Sequence, residues 1–161
     1  MATDRSLRSC LGRFATGVVV VTFNGPDGPP RGITVNAFTS VSMDPPLVLV
    51  SVAKRASSHD ALKGRPFCIN VLGAEQEGIA RQFAGMGEAE PVWVGGTEIP
   101  RLAGVLAHLA CRPWRDYDGG DHTLFLGHVV DFDYRDGDAL CFHTSEFRSL
   151  TEARVGIEDL I

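Results

Sequence analysis

Apolar residues along this chain gather in short β-branched runs separated by glycine, proline and small polar residues. Leu7, Cys10, Leu11 and Phe14 recur at helical spacing, which predicts an amphipathic helix over residues 4–15, capped by Thr3 or Asp4 and ended by Thr16-Gly17. Val18-Val19-Val20-Val21-Thr22-Phe23 reads as a buried strand. The turn Asn24-Gly25-Pro26-Asp27-Gly28-Pro29-Pro30 follows, and the chain returns through Gly32 to Ser42, so residues 17–38 predict an antiparallel hairpin. The returning stretch alternates, with Ile33, Val35 and Val41 as anchors, yet carries Thr34, Asn36, Thr39, Ser40 and Ser42. Five small hydrogen-bonding side chains in eleven residues suit a strand that presents polar groups to a ligand.

After Pro45-Pro46, residues 47–52 form a strand apolar on both faces, as expected between two layers. Ser57 or Ser58 is placed to cap a short helix over residues 59–63. Residues 67–72 predict a strand, and residues 75–83 a helix with Ile79, Ala80 and Phe83 inward, broken at Gly85-Met86-Gly87. Residues 86–101 predict a loop with short extended pieces. Residues 105–114 form a strand, residues 116–121 a polar glycine-rich turn, and residues 123–134 a long strand. A turn at Asp136-Gly137-Asp138 leads to a last strand over 139–143, with residues 146–161 helical or loose. Six or seven strands and three or four helices without βαβ alternation predict one mainly β domain over residues 1–161. An antiparallel barrel with peripheral helices fits best; a doubly wound sheet fits poorly, because turns rather than helices join consecutive strands.

Composition narrows the function. A net charge of −5 leaves no basic block to neutralise phosphates, which argues against nucleic acid. The N-terminus lacks a basic region followed by an apolar one, and the longest apolar run, residues 18–21, is far too short for a membrane span. Cys10, Cys68, Cys111 and Cys141 lie far apart with no C-x-x-C pair, so we expect reduced thiols in a cytoplasmic protein and no metal site.

No P-loop, dinucleotide fingerprint or G-x-S-x-G elbow is present. Cys68 sits among apolar residues in mid-strand, a poor place for a nucleophile. Three places remain. The first is the polar strand. The second is Ser51-Val52-Ala53-Lys54-Arg55-Ala56-Ser57-Ser58, where a strand end feeds a helix start through two cations and two serines, a pattern that suits an anion. An ordinary capped helix with solvated cations is the plain alternative. The third is Gly119-Gly120-Asp121-His122, a histidine at a tight turn beside a strand, equally readable as a satisfied loop residue.

Together these pieces resemble the short-chain flavin reductases, which share the FMN-binding split-barrel fold. The matching residues are Gly12-Arg13-Phe14-Ala15-Thr16-Gly17-Val18-Val19-Val20-Val21-Thr22, Thr34 through Val50, Phe83-Ala84-Gly85, and Gly120-Asp121-His122-Thr123-Leu124-Phe125-Leu126-Gly127-His128-Val129, in the family's order. The resemblance implies a homodimeric, NAD(P)H-oxidising reductase of FMN or FAD that supplies reduced flavin to a partner monooxygenase. It implies that Thr34, Val35, Asn36, Ala37, Phe38, Ser40 and Val41 line the isoalloxazine and ribityl chain, and that Ser51, Val52 and Ala53 approach the ring through backbone. Arg55 and Ser57 would hold the phosphate, Phe83 and Ala84 would sit near the ring or the nicotinamide, and His122 would contact the nicotinamide. Where the family often carries Gly-x-Tyr, this chain has Ser145-Glu146-Phe147; Phe147 retains an aromatic face without the hydroxyl.

The missing triad and metal site agree with such chemistry. Hydride transfer between nicotinamide and flavin needs alignment and dipoles more than acid–base groups. Two other readings share the barrel. A non-enzymatic flavin-binding electron carrier would keep its flavin and turn over no NAD(P)H. An oxidase of a pyridoxal-type phosphate ester would want more cations than Lys54 and Arg55.

Overall fold

A computed structural model describes residues 4–150, 152–154 and 156. Helix α1 (Asp4–Leu11) leads into β1 (Thr16–Gly17) and β2 (Val19–Asn24), then β3 (Pro30–Val35), β4 (Phe38–Met43) and β5 (Pro46–Ala53). Helix α2 (His59–Leu62), β6 (Phe67–Val71), a 3-10 turn (Ala74–Gln76) and α3 (Glu77–Phe83) follow. Strands β7 (Ala107–Gly119), β8 (His122–Tyr134), β9 (Leu140–His143) and β10 (Glu146–Ser149) complete the described elements. Seven strands form one antiparallel sheet in the order β3-β2-β6-β7-β8-β5-β4, and β1-β9-β10 form a second, small sheet.

The large sheet curls so that its two edges meet. The edges are consecutive in sequence: β3 ends at Val35, the chain turns a corner at Asn36–Ala37, and β4 begins at Phe38. The corner is tight, with Phe38 N–H donating to Asn36 O at 3.1 Å, and Ser51 N–H donates to Ala37 O at 3.0 Å. β3 and β4 do not pair with each other, so the barrel is split at the corner. The sequence predicts one strand through this stretch; closing the sheet requires the break, because one chain must serve both edges.

Two cores explain the apolar runs. Val19, Val21 and Phe23 of β2 face the barrel interior with Val48, Val50, Val52, Phe67, Ile69, Cys111 and Phe125. Val18 and Val20 face the opposite way, against Leu72, Ala80, Leu102 and Leu140. The valine run is therefore buried on both faces, which a strand between two layers demands. Ala80 of α3 is fully buried, with Ile79 and Phe83 packed against the same cluster.

Several predicted details change. Val41 is not an anchor: it sits in a bulge between Ser40 and Ser42 and is 47% exposed. The glycine-rich turn shrinks to Gly120-Asp121, because β7 and β8 pair as far as Gly119 and His122. Ser58 does not cap α2: its backbone is already helical and its side chain makes no capping bond, whereas a cap needs extended backbone. Residues 146–149 form β10 rather than a helix or a loose end, pairing with β9. Thr3 lies outside the described residues; so does most of the chain beyond Leu150.

Candidate flavin and nicotinamide site

The Asn36–Ala37 corner opens onto a cavity of about 860 Å³, whose walls include Leu11, Phe14, Asn36, Phe38, Leu49 and Phe142. A second cavity, of about 190 Å³, is lined by Thr34, Val35, Asn36, Ala84, Phe142 and Phe147, among others. Asn36 and Phe142 belong to both, so the two spaces adjoin. The larger wall is mostly apolar, with few polar groups. One of these, Thr16 Oγ1, is buried without a hydrogen-bond partner. An orphaned hydroxyl beside flat apolar walls is what a ring with polar edges would satisfy, so the residues present fit a flavin.

The predicted site residues fall into two groups. Asn36, Ala37 and Phe38 line the large cavity; Thr34, Val35, Asn36, Ala84 and Phe147 line the small one. The hydroxyl of Thr34 is already spent on Ala80 O, at 2.7 Å, so it ties β3 to α3. Phe83 lies over Gly32, where an added Cβ would meet its ring at 2.7 Å, and it contacts Trp93 edge-on at 6.0 Å. Ser40 and Val41 are exposed on β4 and line neither cavity, and the Val52 side chain is spent in the barrel core.

The second group sits at the far end of β5. Ser51 is bonded to Ala37, and Ala53 pairs with His122 across β5 and β8. Arg55 and Ser57 are exposed in the turn before α2. With only four residues, α2 has little dipole to offer, so an anion here would rest on side chains. Lys54 N–H donates to Asp121 O at 2.9 Å, and Lys54 Nζ pairs with Asp118. His122 Nδ1 lies 2.7 Å from Asp121 Oδ1. These partners hold both carboxyls below the usual range: the His122 hydrogen bond for Asp121, the Lys54 hydrogen bond for Asp118. Burial instead pushes the Cys68 and Cys111 thiols up to about 12, which keeps them inert. Among the described residues no cluster is suited to a metal ion.

Sequence reasoning missed Thr16, Phe14, Leu49 and Phe142 as cavity residues. Thr16 and Phe14 stand in the stretch that carries the resemblance, but only the fold brings them to the corner. Ser145 on the rim occupies left-handed backbone with φ 64°, as does Thr144 with φ 51°. The glycine of the Gly-x-Tyr pattern would suit Ser145's backbone without strain. Thr144 is held by its N–H to Gly12 O at 2.9 Å, and the Phe147 ring meets Phe142 edge-on and lies under Arg81.

A split barrel with a ring-sized cleft at its seam defines a flavin-handling class of protein. Residues 11–151 match the family model described as a flavin reductase like domain, and the chain belongs to that family. It is 45% identical over 148 residues to the FMN reductase (NADH) SmoA of Agrobacterium fabrum, covering 89% of this chain and 84% of that one. It is 38% identical over 144 residues to the reductase component of a 4-nitrophenol 4-monooxygenase/4-nitrocatechol 2-monooxygenase of Rhodococcus opacus, covering 87% and 77%. The Streptomyces globisporus NADH:FAD oxidoreductase SgcE6, solved with NAD and FAD fragments, superposes with a TM-score of 0.81 at 41% identity, covering 97% and 95%.

Proposed function

We propose that this chain is an NADH-oxidising flavin reductase that reduces FMN or FAD and passes the reduced flavin to a monooxygenase component. The observation that carries this reading is the pair of adjoining cavities sharing Asn36 and Phe142 at the barrel's seam. When bound, the flavin supplies the hydride-accepting chemistry. Asn36, Ala37 and Phe38 line its space and hold it against the corner, with Thr16 Oγ1 available to a polar ring edge. Ser51 and Ala53 bring backbone close to the ring, and Arg55 and Ser57 hold the phosphate. Ala84 and Phe147 wall the smaller space, and His122 orients the nicotinamide. No side chain needs to move a proton, because alignment lowers the barrier for hydride transfer. Purified protein should oxidise NADH, followed at 340 nm, only when FMN, FAD or riboflavin is added. A bound flavin with no NADH turnover would establish the electron-carrier reading instead.

The same reading makes the protein a cytoplasmic homodimer. Free cysteines and the lack, among the described residues, of a helix long and apolar enough to cross a membrane support the location. Phe14, Met43, Phe132 and Tyr134 are 65–87% exposed on one chain, apolar surface that a second copy could cover. Phe14 lines the large cavity, so a second copy covering it would also cover the open cleft. Light scattering of the active protein should give twice the mass of 17.3 kDa; a monomeric mass at full activity would overturn the dimer.

A further inference from the structure

His59 is a buried titratable side chain that lies outside both cavities. His59 begins α2 and is only 3% exposed. Its Nδ1 lies 2.8 Å from Asp60 Oδ1 and its Nε2 lies 2.7 Å from Thr123 Oγ1. An ionised carboxylate only accepts, so Nδ1 carries the proton; in the neutral imidazole Nε2 then accepts from the Thr123 hydroxyl. The imidazole is set edge-on to Phe125 at 5.7 Å, which fixes its plane. With both nitrogens engaged and the ring packed, His59 is built to hold a position.

The elements it joins give that position a use. Thr123 follows His122 directly in β8; its side chain points into the barrel, and that of His122 points out. Fixing Thr123 therefore fixes the pitch of the residue that carries His122. On the other side, His59 follows the Arg55–Ser58 turn with no intervening residue. Lys54 adds two more ties between the same two turns, through Asp121 O and the Asp118 carboxylate. Three polar bonds thus tie Lys54 and His59, at the two ends of the β5–α2 connection, to the tip of the β7–β8 hairpin.

We propose that His59 is a positioning residue for the hydride-transfer site, acting through Thr123 to set His122 against the nicotinamide. This rests on the reading that His122 orients the nicotinamide. The test measures KM for NADH and kcat for His59→Leu, Thr123→Val and His122→Ala, and for His122→Ala combined with each of the others. Each single substitution should raise KM for NADH about tenfold with kcat within about twofold, and neither should add to His122→Ala. His59→Gln, whose amide can reach Thr123 from the same side, should restore most of the loss. If His59→Leu and Thr123→Val lower only thermal stability, or multiply with His122→Ala, the positioning role is wrong and the reading of His122 stands. If His122→Ala itself leaves KM for NADH unchanged, that reading fails and the role of His59 falls with it. Thr123→Val, which keeps the side chain's shape, carries the test should His59→Leu not fold.

Discussion

Replacing Asn36 by tryptophan is expected to weaken flavin binding at least about a hundredfold, close to 3 kcal/mol, while leaving the barrel folded. Asn36 is the residue that the two cavities share at the corner, so an indole there intrudes on both spaces at once. The fold should tolerate it because Asn36 lies between β3 and β4, in neither strand, and is exposed. Flavin fluorescence quenching gives the affinity, and urea unfolding gives the stability. A variant that binds FMN and FAD as well as the parent protein would place the flavin elsewhere. A matching change at Ser40 is not expected to do the same, since Ser40 faces solvent beyond both cavities.

Gly127→Ala should destabilise the protein by about 3 kcal/mol, the upper part of the range for overpacking a closed core. Gly127 sits on β8 opposite β5 and β7, facing the barrel interior. A Cβ built there would lie 2.6 Å from Phe67 Cζ, 2.7 Å from Cys111 Cβ and 3.0 Å from its sulfur. Phe67 is 2% exposed and Cys111 is fully buried, so neither wall can swing into solvent to make room. A loss of this size is a large fraction of the ~5–15 kcal/mol by which such domains are stable. Chemical denaturation of the parent and variant decides it; a difference under about 1 kcal/mol would mean that the strands separate at little cost. Pairing the change with Phe67→Leu should recover part of the loss, because it removes the ring edge that meets the new methyl.

Local chemistry pointed to the stretch that becomes the barrel's seam. The polar residues between Thr34 and Ser42 marked the seam. Gly120-Asp121-His122 marked a tight turn, which the structure narrows to Gly120-Asp121. What misled was continuity: alternation from Ile33 through Ser42 fits one strand, and nothing local signals that Asn36 and Ala37 are a corner. The hydroxyls of Thr34 and Thr39 looked available and are spent on Ala80 O and Ser40 O. The cap assigned to Ser57 or Ser58 failed for a related reason. Serine before a short helix is a fair local signal, but here the preceding turn has already brought the backbone into the helical region.

By itself, the sequence determined most of the strands, the antiparallel class, the flavin reductase resemblance and the polar stretch at the seam, because periodicity, turn residues and motif order are local properties. Only the tertiary structure decided which of those residues share a space. Thr16 and Phe142 come from the small sheet, Leu49 from β5 and Ala84 from the end of α3, and none is near Asn36 along the chain. They meet because a seven-stranded sheet closes on itself at one corner and leaves a gap there, and where a sheet closes is set by long-range pairing that no stretch of sequence contains.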